Sequence, residues 1–157
     1  MRVAAIDLGK ARIGLAVSDE LGLLAHPRPF LDGRDLTSSL AALRRLAIEE
    51  AIETMLVGLP RNLNGSEGPS ARRARRFAEI LKKATGCTVE LVDEWLTTKE
   101  AQARLHAQGL DTRESRTRID SASAAVILQS WLDAAERPGG APALSDEPAT
   151  RRKTPKK

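Results

Sequence analysis

The length and composition of the chain favour one globular domain. Of its 157 residues, 41% are apolar, which is enough to build a core. Only 3% are aromatic, too few for a surface that binds single-stranded nucleic acid by stacking on its bases. The formal net charge of +4 resides in residues 137–157, which hold six basic and two acidic residues, because the rest of the chain contains 19 of each. A basic face on the folded part would therefore require an uneven distribution of charge.

The sequence shows no sign of a membrane or secreted protein. Asp7 interrupts the first apolar residues too early for a signal peptide, and no apolar run approaches the roughly 20 residues of a membrane span. The single cysteine, Cys87, excludes an intrachain disulfide and is expected in the core. We therefore expect a soluble, cytoplasmic protein without membrane contacts.

The N-terminal segment predicts three strands. Arg2–Ile6 is a short apolar strand ending at Asp7, and the alternating residues Arg12–Ser18 form a second strand, joined to the first as an antiparallel hairpin. A third strand is expected within Leu23–Leu31, where two prolines suit the edge of a sheet.

Helices and strands alternate in the next part of the chain. Leucines and alanines at a 3.6-residue period predict a helix over Leu36–Ala51, with capping residues among Thr37–Ser39. A buried strand, Thr54–Leu59, leads through a polar loop into a helix over Ser70–Ala84, and Val89–Val92 forms a fifth strand.

Two helices and a tail complete the chain. Thr97 and Glu100 have the spacing of a capping box at the start of one helix, and Ile119–Leu132 forms the last. We expect one domain over residues 1–137 and a disordered basic tail over 138–157, which is rich in Pro, Ala and Lys. The order of elements predicts an α/β fold with one five-stranded mixed sheet, its first three strands antiparallel, flanked by helices.

Carboxylates occur where such a sheet would place a site. Asp7 ends the first strand, Asp93 and Glu94 end the fifth, and Asp120 opens the last helix. If the first and fifth strands run parallel in the middle of the sheet, their ends converge, and the last helix could bring Asp120 to the same point. Oxygen ligands favour Mg²⁺ or Mn²⁺, and two such ions can promote hydrolysis of a phosphodiester. Taken singly, each acid is equally explained by a turn, a solvated strand end or a helix start.

Four blocks of sequence add a more specific signal: DLGKARIGLAVSD at 7–19, VGLPRNLNGSEG at 57–68, VDEWLTT at 92–98 and IDSASAAVILQ at 119–129. In this order they resemble the motifs of the YqgF family, also called RuvX, whose members are relatives of the RuvC Holliday junction resolvase with an RNase H-like fold. The resemblance extends over roughly residues 1–135. It implies a metal-dependent nuclease, a hydrolase that matures the 5′ end of precursor 16S ribosomal RNA, with cleavage of Holliday junctions or other branched DNA as the alternative.

The family's acidic triad falls on Asp7, Asp120 and one of the pair Asp93 and Glu94, and implies Mg²⁺ or Mn²⁺ as the cofactor. We favour Glu94 over Asp93, because its longer side chain reaches further past the strand end. One position departs from the family, which usually has Arg where this chain has Trp95. Trp95 cannot pair with a phosphate as Arg would, although it could stack on a base or ribose or pack against a helix.

Candidate nucleic-acid-binding residues flank these acids. The glycines of the polar loop let backbone amides approach a phosphate at a helix start, and basic residues follow the loop, precede Asp120 or lie beside Asp7. The candidates are Lys10, Arg12, Asn62, Asn64, Arg72, Arg73, Arg76, Trp95, Arg116 and Arg118. The expected partner is structured RNA or, alternatively, branched DNA, although each basic residue is also compatible with an ordinary solvated surface.

Two other classes of function fit part of the sequence. A non-catalytic nucleic-acid-binding factor for ribosome assembly would agree with Trp95 and with the neutral charge of the folded part. An actin-like ATPase or sugar kinase would share the Asp-x-Gly hairpin, but those enzymes clamp a nucleotide between two domains, and this chain has length for one. The sequence leaves open a monomer, which suffices for trimming RNA ends, and a homodimer, which a junction resolvase needs to cut two strands.

Overall fold

The computed structural model describes residues 2–62, 64–94, 99–107 and 121–136, and these form five strands and four helices. The strands are β1 (Arg2–Leu8), β2 (Arg12–Ser18), β3 (Ala25–Asp32), β4 (Ile52–Leu59) and β5 (Thr88–Asp93). The helices are α1 (Leu36–Glu49), α2 (Pro69–Thr85), α3 (Lys99–Ala107) and α4 (Ala122–Ala135). The predicted tail lies outside the described residues. None of the helices in the described part of the chain is long and apolar enough to cross a membrane.

The five strands form one mixed sheet in the order β3-β2-β1-β4-β5. β1 and β3 run antiparallel to β2, whereas β4 is parallel to both β1 and β5. The predicted sheet is therefore confirmed, including its antiparallel first three strands. The condition placed on β1 and β5 is met in part: they run parallel to each other, because β4 is parallel to both, but β5 lies at the edge of the sheet and not in its middle.

Each face of the sheet packs on a separate pair of helices. Residues such as Ile6 and Val57 point toward α1 and α2 in one cluster, and residues such as Val3, Leu56 and Val92 join α3 and α4 in the other. Alternate residues of a strand point to opposite faces. Asp7, an even number of residues after Val3, therefore lies on the face that α4 covers.

The ends of some elements differ from the prediction. The cap of α1 is Asp35, whose Oδ1 accepts from the Ser38 amide at 3.1 Å; the predicted capping residues at 37–39 lie within the first turn, and Ser39 donates its hydroxyl to the Asp32 carbonyl instead. The last helix begins at Ala122, later than predicted, because Ser121 has a non-helical backbone.

A buried glutamine joins the N-terminal hairpin region to the last helix. Gln129 of α4 is 0% exposed, and its Oε1 accepts from the Ala25 amide at 3.0 Å. Its Nε2 donates to the Leu23 carbonyl and to Asp133, both at 3.0 Å. A single side chain therefore satisfies two backbone groups at the start of β3 and fixes α4 against the sheet.

We predict that Gln129→Leu lowers the free energy of unfolding by about 2–4 kcal/mol, because the buried Ala25 amide and the part-buried Leu23 carbonyl each lose a partner at roughly 1–3 kcal/mol. Urea denaturation followed by circular dichroism measures this value. Gln129→Glu keeps the acceptor for Ala25 but places a buried carboxylate beside Asp133, so at neutral pH it should be at least as destabilising as Gln129→Leu. A loss below about 0.5 kcal/mol in Gln129→Leu would show that water replaces these bonds.

Candidate active site

Asp7 is half-buried near the carboxyl end of β1, with a glycine beside it on each neighbouring strand. Gly14 is its partner on β2. Gly58 is level with it on β4, because the preceding residues Ile6 and Val57 are partners in the parallel pairing. These two positions without side chains leave space around the carboxyl for other elements to approach.

Glu94 uses this space to reach Asp7. It follows β5 directly and is half-buried, and its carboxyl forms a side-chain hydrogen bond with that of Asp7. On the way it passes over Gly58, where an added Cβ would lie 3.1 Å from Glu94 Oε1 and 3.4 Å from its Cγ. The structure thus brings together two of the acids that the sequence singles out.

The two carboxyls alter each other's protonation. Burial raises the pKa of Asp7, an effect partly offset by the hydrogen bond from Glu94. Burial also raises the pKa of Glu94, and the charges of Asp7 and Asp93 and the hydrogen bond to Asp7 raise it further. The direction for both groups is the one expected when two desolvated carboxylates share a site. When Glu94 is protonated, its carboxyl can donate to the Asp7 carboxylate.

Asp93 makes a different contact. Its Oδ2 lies 2.8 Å from Arg61 Nε, an ion pair in which the side chains are 15% and 26% exposed. The Nε–H of Arg61 is not aligned for a hydrogen bond. This ion pair attaches the loop between β4 and α2 to the end of β5. Arg61 is not among the candidate residues from the sequence, although its place in the second sequence block, directly after Pro60, is a usable signal.

The start of α4 lies beside Asp7. A Cβ added to Gly14 would be 3.3 Å from the Asp7 Cβ and 3.5 Å from the Cβ atoms of Ser121 and Ala124. The Ser121 hydroxyl does not cap its own helix but donates to the Arg28 carbonyl at 2.8 Å. This bond anchors the helix start to β3.

Asp120, the third acid of the predicted triad, directly precedes Ser121 in the sequence and lies outside the described residues, as do Trp95, Arg116 and Arg118. Within the part of the chain that the structure describes, no group of three or more His, Cys, Asp or Glu side chains is arranged to hold a metal ion. The described site is therefore a pair of carboxyls with the start of α4 next to it.

Two candidate nucleic-acid-binding residues lie on or beside the turn between β1 and β2. Lys10 is exposed in this turn. Arg12, also exposed, begins β2, and its guanidinium carbon lies 5.5 Å from the centre of the Phe30 ring, within range of a cation–π interaction. Both cations are close in sequence to Asp7, the nearer of them three residues away.

Helix α2 supplies three further candidates with different surroundings. Arg72 and Arg76 are exposed and one helical turn apart. Arg73 is half-buried, and its Nη2 donates to the Gly9 carbonyl at 3.2 Å. Arg73 therefore holds the turn after β1 against α2, whereas Arg72 and Arg76 face solvent.

The candidate asparagines organise the loop between β4 and α2. Asn62 Nδ2 donates to Ser66 Oγ at 3.1 Å, and Ser66 donates to Asn64 Oδ1 through its amide at 3.0 Å and its hydroxyl at 2.6 Å. At the end of the loop, Glu67 pairs with Arg75 at 2.7 Å. Both asparagines are exposed, and their described contacts stabilise the shape of the loop.

Solved structures show which fold the chain has. The chain is similar to RuvC of Thermus thermophilus in complex with a Holliday junction substrate, with a TM-score of 0.63 and 17% identity over 92% of this chain and 99% of that one. It is also similar to the Fowlpox virus resolvase in complex with Holliday junction DNA, with a TM-score of 0.53 and 10% identity over 87% and 100% of the two chains. At these identities the likeness concerns the fold, which is the predicted RNase H-like α/β fold of resolvases.

Sequence comparison identifies the family. Residues 1–134 match the family described as "RuvX: Holliday junction resolvase". A relative from Anaeromyxobacter sp. (strain Fw109-5), named "Putative pre-16S rRNA nuclease", is 50% identical over 133 residues, 85% of this chain and 97% of the relative. A relative of the same name from Myxococcus xanthus (strain DK1622) is 43% identical over 138 residues, 88% and 91% of the two chains. The chain belongs to the RuvX family, and its predicted class, a nuclease, is confirmed.

The raised pKa values predict how stability depends on pH without metal. In the folded protein the pKa values of Asp7 and Glu94 are raised above their ordinary values of 3.8 and 4.5. These groups therefore favour the folded state at low pH, and this contribution to stability is lost as the pH rises through the raised pKa values. Glu94→Gln keeps a donor to Asp7 without a second charge. Between about pH 4 and pH 7, its Tm should rise by a few degrees relative to the parent protein, since about 1 kcal/mol corresponds to roughly 2–4 °C.

Thermal unfolding in EDTA across this pH range measures the difference between the two proteins. Glu90→Gln, a change on the same strand away from Asp7, controls for the loss of one charge. Parallel Tm curves for the parent protein and Glu94→Gln would contradict the coupling of the two carboxyls.

Proposed function

We propose that this protein is a divalent-metal-dependent nuclease that cleaves a phosphodiester at the Asp7–Glu94 pair, with the 5′ end of precursor 16S ribosomal RNA as its substrate. The contact between these two carboxyls, at the carboxyl ends of parallel strands, is the observation that carries the proposal. The names of the relatives support the choice of substrate. The reaction would take place in the cytoplasm, where ribosomal precursors are processed.

The donor set fits Mg²⁺ or Mn²⁺. Asp7 and Glu94 offer hard oxygen ligands, and a bound cation would offset the burial and the negative charges of Asp7 and Asp93 that raise the pKa of Glu94. Asp7, Glu94 and Asp120 would hold the ion, since the start of α4 lies next to Asp7. A bound divalent cation supplies the positive charge that activates water and stabilises the leaving oxygen.

The remaining residues would position the substrate. Lys10 and Arg12 would neutralise a phosphate near Asp7, and Arg72 and Arg76 would contact the backbone further along. Arg73 would act indirectly by fixing the turn that carries Lys10. Beyond the described residues, Trp95, Arg116, Arg118 and the basic residues of 138–157 are proposed as additional contacts, those of the tail being nonspecific and sensitive to salt.

Branched DNA is the second candidate substrate, because the matching family is described as a Holliday junction resolvase. A resolvase must cut two strands and would work as a homodimer, whereas trimming an RNA end requires one site. The mass of the protein in solution, measured with each substrate, therefore discriminates between the two.

We predict that Asp7→Asn lowers the cleavage rate by more than roughly 100-fold, because changes to partners of metal ligands already cost 10–100-fold and this change affects a ligand itself. Cleavage of precursor 16S ribosomal RNA and of a four-way DNA junction is measured with Mg²⁺, Mn²⁺ or EDTA. Asp93→Asn removes the ion pair with Arg61 but leaves the Asp7–Glu94 contact, so its effect should be smaller. Full metal-dependent activity of Asp7→Asn would exclude the mechanism, and absence of any cleavage by the parent protein would favour a binding factor.

Removing basic residues from the start of α2 should weaken substrate binding. For Arg72→Ala/Arg76→Ala, we expect a higher Kd and a slope of log Kd against log salt concentration that falls by about 1 for each phosphate no longer neutralised. Lys82→Ala/Lys83→Ala removes the same charge from exposed positions at the other end of the helix and serves as the matched control. Equal effects of the two double variants would indicate general electrostatic attraction instead of a defined binding surface.

A further inference from the structure

Glu94 has to cross a strand to reach Asp7. Neighbouring strands lie about 4.8 Å apart, so β1 and β5, which are separated by β4, are roughly 10 Å apart. Glu94 lies just past the end of β5, yet its carboxyl forms a hydrogen bond with Asp7 of β1. The side chain therefore extends over β4.

Gly58 is the residue of β4 that Glu94 crosses. An added Cβ at this position would lie 3.1 Å from Glu94 Oε1 and 3.0 Å from Ile127 Cδ1. The glycine is not explained by its backbone, because Gly58 is not among the residues with positive φ, and glycine in a strand interior weakens the strand. The remaining explanation is space, and the space is filled by Glu94 and by Ile127 of α4.

We infer that Gly58 is a positioning residue of the active site. Because Gly58 has no side chain, Glu94 can reach Asp7 from the end of the edge strand, and the two carboxyls form one site. This inference rests on the proposed function, in which Asp7 and Glu94 bind the cation. It predicts that even one methyl group at position 58 separates the two carboxyls, while the sheet persists because both crowded neighbours are flexible ends of side chains.

Gly58→Ala tests the inference by two readouts. In crystals of the metal-free protein, the Glu94 carboxyl should contact Asp7 in the parent protein and be displaced from it in the variant. In calorimetric titrations, the Kd for Mn²⁺ should rise at least tenfold, with Tm measured alongside to confirm folding.

Ile127→Val separates positioning from core packing, because it removes the Cδ1 atom that an alanine at position 58 would crowd. The double variant Gly58→Ala/Ile127→Val should stay folded even if Gly58→Ala does not, and should retain the tenfold loss of Mn²⁺ affinity. Ile127→Val alone is the matched control and should bind Mn²⁺ as the parent protein does.

A double-mutant cycle with Glu94→Ala completes the test. If Gly58 acts through Glu94, adding Gly58→Ala to Glu94→Ala should change the Kd for Mn²⁺ less than twofold. Additive losses, recovery of affinity in Gly58→Ala/Ile127→Val, or a retained Asp7–Glu94 contact in Gly58→Ala crystals would each overturn the inference. A parent protein that binds no Mn²⁺ would overturn the proposed function instead, and the crystal comparison would still decide the role of Gly58.

Discussion

The contact between the carboxyls of Asp7 and Glu94 is the interaction around which the site is arranged. Two half-buried acids in contact oppose ionisation, and the pKa of each is raised above its ordinary value. The free energy needed to bury two carboxyls in contact must be offset by packing elsewhere that fixes the strands and α4. The two hydrophobic clusters on opposite faces of the sheet supply that support.

Much of this arrangement could be predicted from the sequence. Strand ends are visible as changes from apolar to acidic residues, and this change singles out Asp7 and Glu94 without any knowledge of their contact. The position of β4 between β1 and β5 was not predictable from periodicity, because an apolar strand reads the same in any sheet order. Asp35 was not predicted as the cap of α1, since several capping residues follow one another there and only backbone angles distinguish them.

The residues that support the acids were harder to recognise. Arg61 pairs with an acid 32 positions away, and nothing local distinguishes it from the solvated arginines of α2. In the sequence Gly58 resembles a turn residue before Pro60. Its role becomes visible only in the structure, where the Glu94 side chain passes over it. Arg73 was predicted as a phosphate ligand, and the structure adds a bond to the Gly9 carbonyl. In each case the missing information is the direction of a side chain across strands.

The bond between Gln129 and Ala25 spans 104 positions, and it has a consequence for synthesis on the ribosome. Until α4 has emerged, the face of the sheet formed by Val3, Leu56 and Val92 is without its main cover. A nascent chain therefore exposes the apolar residues of this face. The domain becomes stable only when such long-range contacts form. The surroundings of Asp7 are completed in the same step, because Ser121 at the start of α4 lies beside it.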